Sequence, residues 1–288
     1  MANSLQRQLS LGIADIVISV TASTKKARFR IFSPYRSFVR ELKDKKPDIN
    51  LTVHYGNIPD YKLKNPIFKE ERLHLSLYQS DGQYILKIPS RLMVVDSRFS
   101  CGDIYIKRPS AIVYRQYPLQ HPLDKIVVLH FLAERQGAMI HACGINYDGK
   151  GLLFAGASGA GKSTLANLWK RAKDTFILND DRIILRKLGK RFWLYGTPWH
   201  GDARVYSFKR VPLKKIFFLR HAQNNAIKKI EPLDAIARLL GCSLFFFWQK
   251  KTLESLFDLY AELTRRIPCY ELGFVPDEGI LDFIRNKA

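Results

Sequence analysis

Gly151-Leu152-Leu153-Phe154-Ala155-Gly156-Ala157-Ser158-Gly159-Ala160-Gly161-Lys162-Ser163-Thr164 is the stretch on which the fold turns. An apolar run, Gly151–Ala155, predicts a buried strand. Gly156–Ser163 then satisfies every fixed position of GxxxxGK[ST], and a helix is predicted from Lys162 to about Arg171. Glycines let backbone N–H groups converge on phosphate oxygens without a Cβ in the way, and the helix start adds the positive end of its dipole. Gly156, Ala157, Ser158, Gly159, Ala160, Gly161, Lys162, Ser163 and Thr164 are therefore the expected nucleotide-binding residues. Lys162 would reach the β- and γ-phosphates and Ser163 would hold Mg²⁺. A nucleoside triphosphate site using ATP and Mg²⁺ is the expectation.

Downstream, Phe176-Ile177-Leu178-Asn179-Asp180-Asp181 reads as an apolar strand ending in two carboxylates. A helix of about 15 Å carries the chain away from the phosphates. A strand of about 15 Å returns it, parallel to Gly151–Ala155. Asp180 and Asp181 then arrive at the carboxyl end of the sheet, where open α/β sheets bind ligands. Two acids there suit two jobs, one at the metal and one accepting a proton from an attacking hydroxyl. The plainer alternative is that one of them caps a turn or pairs with Arg182. So short a spacing excludes transporter-type and recombinase-type ATPases, and neither an LSGGQ-like run nor an NKxD guanine reader is present. Kinase-like chemistry fits better.

Outward on the N-terminal side the texture is that of strands and turns. Leu73, Leu75 and Leu77 alternate with His74 and Ser76, Asp81-Gly82 makes a turn, and Tyr84–Ile88 alternates again, which predicts a hairpin. Ile104, Ile106 and Ala111–Tyr114 read as further strands, and Phe38–Leu42 as a short helix. A proline-rich joint, Tyr117–Pro122, leads to a buried helix capped by Asp124. The expected domains are thus 1–120, a β-rich accessory or recognition domain, and 121–288, the catalytic domain. In the latter, strands are predicted at Ala138–Cys143, Thr175–Leu178, Arg182–Leu185, Phe192–Tyr195 and Lys215–Leu219. Helices are predicted at Pro232–Leu240, Leu253–Arg265 and Asp277–Asn286.

Composition narrows the classes further. The chain has 288 residues, of which 47% are hydrophobic, and no apolar run is long enough to span a bilayer. No signal peptide is read at the N-terminus, so a cytoplasmic protein is expected. Four dispersed cysteines without a CxxC pair read as reduced, packed thiols rather than a zinc site. The formal net charge of +21 is spread over dispersed basic pairs, which reads first as a solvated surface and second as a face for an acidic partner. Nucleic acid and membrane are not expected among the partners. The cluster Phe245–Lys251 reads as helix core followed by a solvated edge, or as a grip on an acidic peptide.

With these residues in place, the stretch from His121 to about Leu219 resembles the HPr kinase/phosphorylase family. The match consists of Ile140-His141-Ala142, Gly156–Ser163 and Asp180-Asp181-Arg182. Read alone, His141 in an apolar strand is more often a satisfied core histidine than a functional one. The resemblance implies an α/β fold shared with phosphoenolpyruvate carboxykinase, with a P-loop in a mixed sheet. It implies that His141 lies near the transferred phosphate, that Asp181 is the catalytic base, and that Asp180 joins Ser163 at the metal. The chain looks more like the divergent HPr-kinase-like proteins than like HPr kinase itself, and some of these phosphorylate ribosomal peptides such as lasso-peptide precursors. The implied function is an ATP- and Mg²⁺-dependent kinase transferring the γ-phosphate to a hydroxyl, Ser or Thr of a peptide or small protein, with a homo-oligomer as the implied assembly. One departure stands out: where that family carries a metal-binding glutamate, Gly196–Asp202 has none. Asp202 or His200 would substitute, or the second metal is absent, or the turn only packs Trp199 on the cleft. The alternative function is a nucleotide-binding regulatory module without phosphotransfer.

Overall fold

Asp81 and Gly82, both left-handed (φ 49° and 73°), close a tight hairpin between β5 (Leu75–Ser80) and β6 (Gln83–Ile88) and pair Ser80 with Gln83. Both central residues of such a primed turn need positive φ, which Asp-Gly supplies at low cost. The computed structural model describes residues 7–25, 27–42, 46–107, 117–245, 250–277 and 279–287. It divides into two compact units, Met1–Phe131 and Leu132–Ala288.

The first unit adds β1 (Gln8–Ile13), β2 (Ile16–Ala22), β3 (Ile49–Gly56), β4 (Phe68–Glu70), β7 (Arg91–Asp96) and β8 (Cys101–Lys107). They form one sheet in the order β1-β2-β3-β8-β7-β6-β5-β4. Its β2–β3 and β3–β8 pairs are parallel, so the unit is β-rich but not a simple meander. Ile104 and Ile106 are buried in β8 as expected. Leu73 lies outside the strand, in a 3₁₀ turn (Glu71–Leu73), because left-handed His74 (φ 47°) breaks the alternation before Leu75. The expected helix at Phe38–Leu42 is instead a 3₁₀ turn at Tyr35–Phe38, after which Val39 bridges Leu11. Ala111–Tyr114 lies outside the described residues. The buried Arg91 guanidinium donates to the carbonyls of Tyr117 and Pro118, tying the proline-rich joint to β7. Helix α1 (Leu123–Ala133) starts one residue earlier than the expected cap, leaving Asp124 in its first turn.

The second unit is α/β with a mixed sheet. Its strands are β9 (Gly137–Tyr147), β10 (Lys150–Ala155), β11 (Thr175–Asn179), β12 (Arg182–Leu188), β13 (Arg191–Tyr195), β14 (Arg210–His221), β15 (Ala226–Lys229), β16 (Ser243–Leu244) and β17 (Cys269–Phe274). Its helices are α2 (Lys162–Trp169), α3 (Pro232–Cys242), α4 (Lys250–Arg266) and α5 (Gly279–Lys287). The long strands β9 and β14 each serve two partners in succession. The second half of β9 lies between β10 and β11, while its first half pairs with β12 and β16. Likewise β14 pairs first with β13, then with β10 and β17 in parallel. The returning strand β11 therefore runs in the direction of β10, as expected, but with β9 between them.

Alternation along β10 sends side chains to two cores. Leu153 and Ala155 join α3 and α4 residues such as Leu239 and Tyr260 on one face. Leu152 and Phe154 join α2 and α5 residues, including Leu165, Trp169 and Ile284, on the other. Fully burying each such large side chain stabilises the unit by about 1.5–3 kcal/mol. Among the described residues no helix is long and apolar enough to cross a membrane. Phe246, Phe247 and Trp248 of the aromatic cluster lie outside the described residues.

Trp169 ends α2 fully buried, 5.5 Å from the Tyr147 ring and under the Arg285 guanidinium. Trp169→Ala is expected to lower unfolding stability by about 3–5 kcal/mol, measured by denaturant titration followed by circular dichroism.

Candidate functional site

The chain leaves β10 at Ala155 and enters α2 at Lys162 through a glycine-rich loop. Gly159 (φ 82°) and Gly161 (φ 95°) are left-handed, and a Cβ on Gly161 would stand 2.6 Å from the Phe274 ring. Only glycine meets both demands at Gly161. His221, at the end of β14, hydrogen-bonds the Gly159 carbonyl through Nε2 at 2.8 Å, bracing the loop from the neighbouring strand. The Lys162 ammonium turns back under the loop and donates to the carbonyls of Gly156 (2.8 Å) and Ala157 (2.7 Å). Burial pulls it below its ordinary 10.5, with the Asp181 carboxylate pulling the other way.

Opposite the loop stands the β11–β12 junction, organised by Asn179, a fully buried residue that the sequence reading passed over. Its Oδ1 accepts the N–H groups of Asp181 (2.7 Å) and Arg182 (2.8 Å), and its Nδ2 donates to the Thr197 carbonyl (2.9 Å). The available signal was a short polar residue directly before two acids, a common turn former. The junction clamps the Asp181 backbone, whose carbonyl also accepts the Ala142 N–H at 3.1 Å.

The two acids part company here. Asp181 meets His141 Nε2 through Oδ1 and the Arg182 guanidinium through Oδ2, both at 2.7 Å. Burial works against its ionisation, but the His141 hydrogen bond, Arg182 and Lys162 outweigh it and hold the carboxyl below its ordinary 3.8. Asp180 is only 1% exposed. Its oxygens accept three backbone N–H groups from the following loop: Gly201 (3.0 Å), Ala203 (2.8 Å) and Val205 (3.4 Å). Gly201 is required for that approach, since a Cβ there would sit 2.9 Å from Asp180 Oδ2.

Loop and junction enclose an open cavity of about 710 Å³. His141, Lys162, Asp181, Ser158, Gly159, Gly161, Ser163 and Thr164 all line it, so most of the expected residues are brought together. Gly156, Ala157 and Ala160 are not in the lining, and the carbonyls of the first two hold Lys162 from behind. Asp180 is not in the lining either. Trp199 is buried and also lies outside it, whereas His200, Gly201, Asp202 and Arg204 form part of the wall. Among the described residues no cluster of three or more His, Cys, Asp or Glu is placed to hold a metal ion. The oxygen-bearing side chains of the cavity lining are Ser158, Ser163, Thr164, Asp181 and Asp202. A hard cation needs only one or two carboxylates, completing its shell with phosphate and water. Asp180, saturated by amides, does not suit it.

Fold and site together define an α/β protein whose glycine-rich strand-to-helix loop faces a carboxylate–histidine–arginine cluster across one cavity. The chain belongs to the ScmC family: the family model for the SynChlorMet cassette protein ScmC matches residues 121–275. The solved structure of the Hpr(Ser) kinase/phosphatase from Coxiella burnetii aligns with 52% of this chain and 95% of its own, at 14% identity and a TM-score of 0.30. None of the curated proteins matches.

Asp180→Ala is expected to strip three amides of their acceptor and cost about 3 kcal/mol or more, read as a lowered thermal midpoint. Asp181 titrates lower folded than unfolded, so its carboxylate stabilises the fold above the ordinary 3.8 and loses that effect as pH falls toward the folded value. Asp181→Asn should therefore flatten the acid limb of stability against pH. An unchanged limb would mean that His141 and Arg182 do not hold the carboxylate.

Proposed function

We propose that the chain is an ATP- and Mg²⁺-dependent kinase that transfers the γ-phosphate to a hydroxyl, that of a Ser or Thr in a peptide or small protein. One juxtaposition carries the reading: the glycine-rich loop with its lysine lines the same cavity as Asp181 and His141, with Arg182 holding Asp181 from outside the lining. In this reading residues 156–164 are a phosphate-binding loop. Its N–H groups and Lys162 hold the triphosphate, and Lys162 exchanges its two carbonyl partners for phosphate oxygens. Bound Mg²⁺ would neutralise phosphate charge, with Ser163 and a cavity carboxylate as the donors this chain offers it.

Asp181 receives the acceptor's proton, and His141 and Arg182 fix its orientation. A depressed carboxylate is a weak base, yet phosphoryl transfer through a loose transition state asks more for positioning than for basicity. His141 contributes by hydrogen-bonding the carboxylate rather than by touching the acceptor. The metal role first expected for Asp180 passes to Asp202, which lines the cavity, because Asp180 is committed to the loop backbone and Asp181 to His141 and Arg182. Exposed Asp202 and Arg204 border an open mouth, which leaves room for a polypeptide acceptor.

A second reading has its own observation. Both Asp181 oxygens and the Lys162 ammonium are already satisfied within the protein, as in a module that holds nucleotide without passing phosphate on. Transfer of label from γ-labelled ATP to small peptide acceptors separates the two. Under the kinase reading, Lys162→Ala abolishes transfer and weakens nucleotide binding. Asp181→Asn lowers turnover by about 10²-fold or more while nucleotide affinity stays within about threefold. Full transfer by the purified Asp181→Asn protein would remove Asp181 from the mechanism. Stoichiometric nucleotide binding by the unaltered chain, with no labelled product, would favour the module.

A further inference from the structure

Asp180 does more than leave the cavity; it shapes what the cavity contains. The N–H groups of Gly201, Ala203 and Val205 all turn toward its carboxylate. Lys170, just past α2, grips the same loop from the other side through the Ala203 carbonyl at 2.9 Å. Between these anchors Arg204 lines the cavity and is exposed to solvent. Its backbone is left-handed (φ 51°), a conformation uncommon for a long side chain, and its N–H donates to Gly201 O at 3.1 Å. Among the described residues the Arg204 guanidinium has no carboxylate, carbonyl or ring partner. Most of the other arginines in the second unit are engaged, Arg182 by Asp181, Arg220 and Arg238 by Glu271, and Arg266 by Glu262. A cation held on a braced loop without a protein anion is poised for an anion from outside.

We infer that Arg204 is a catalytic residue, an arginine supplied in cis that binds the phosphoryl group in flight. The inference rests on the kinase reading above and assigns it a residue. Lys162, on the loop side, holds the phosphates in the ground state. Arg204, on the opposite wall, meets the charge that spreads over the equatorial oxygens during transfer. In the step itself the acceptor oxygen forms its bond to the γ-phosphorus as the bond to the β–γ bridging oxygen breaks. The electron pair leaves with the nucleoside diphosphate, and the hydroxyl proton passes to Asp181. Arg204 changes no bond; it balances charge at the oxygens that neither the loop nor Asp181 reaches. Asp180 is then a positioning residue that acts through the loop.

The test needs no acceptor. Binding of ADP·Mg²⁺ with and without aluminium fluoride, a mimic of the transferring phosphoryl group, is measured by calorimetry on the full chain. The unaltered protein should bind the fluoride complex more tightly than ADP alone. Arg204→Gln, and Arg204→Gly, which also relieves the left-handed backbone, should reduce that tightening by about tenfold or more. Both should leave ADP affinity within about twofold. Free guanidinium ion should restore part of the tightening to Arg204→Gly. Tightening that survives both substitutions, or an equal loss of affinity for ADP and for the fluoride complex, overturns the role of Arg204 and leaves the kinase reading standing. An unaltered chain that binds neither ligand overturns both.

Discussion

Two adjacent carboxylates, Asp180 and Asp181, face opposite ways, and that division organises the site. Both lie in the bend between β11 and β12, where the Asp181 carboxylate reaches the cavity and that of Asp180 turns into the protein. Asp181 reaches outward, to His141 on β9 and to Arg182. Asp180 turns inward, where an unpaired charge would be prohibitive. The amides of Gly201, Ala203 and Val205 make that burial tolerable, since charge-assisted hydrogen bonds from N–H groups are the stronger kind. A loop far along the chain is thereby fastened to the strand end, and the cavity gains its second wall.

The loop before α2 shows the same economy of groups. Lys162 is nearly buried, so its ammonium needs partners even when no phosphate is present, and the Gly156 and Ala157 carbonyls supply them. Under the proposed function a phosphate would compete with these hydrogen bonds and would gain by replacing neutral acceptors with charged ones. Asn179 plays the matching part across the cavity. It satisfies the N–H groups of Asp181 and Arg182 and ties them to Thr197, so the Asp181 carboxylate sits on a backbone held by side-chain hydrogen bonds.

Much of this was legible in the sequence, for identifiable reasons. The apolar run Gly151–Ala155 and the left-handed demands of Gly159 and Gly161 are local properties, and strand, loop and helix follow from them with little tertiary help. Asp81-Gly82 sets the β5–β6 register for the same reason. Leu73 was misread because alternation alone cannot show that His74 breaks the strand. The strands β15, β16 and β17 were missed because each is short or weakly patterned, and neighbours rather than propensity hold it in the sheet.

What the sequence by itself determined is the chemistry on offer: a glycine-rich turn before a lysine, a hydroxyl beside it, two acids a strand away and a histidine one strand back. Which acid meets the cavity, and that His141 and Arg182 both seize Asp181, only the tertiary structure decided. The same holds for the placing of Asp202 and Arg204 on the wall, since nothing in Gly196–Arg204 names Asp180 as its anchor. Such contacts join residues remote in sequence, and their geometry depends on strand order, pleat and loop closure, none of which a linear pattern carries.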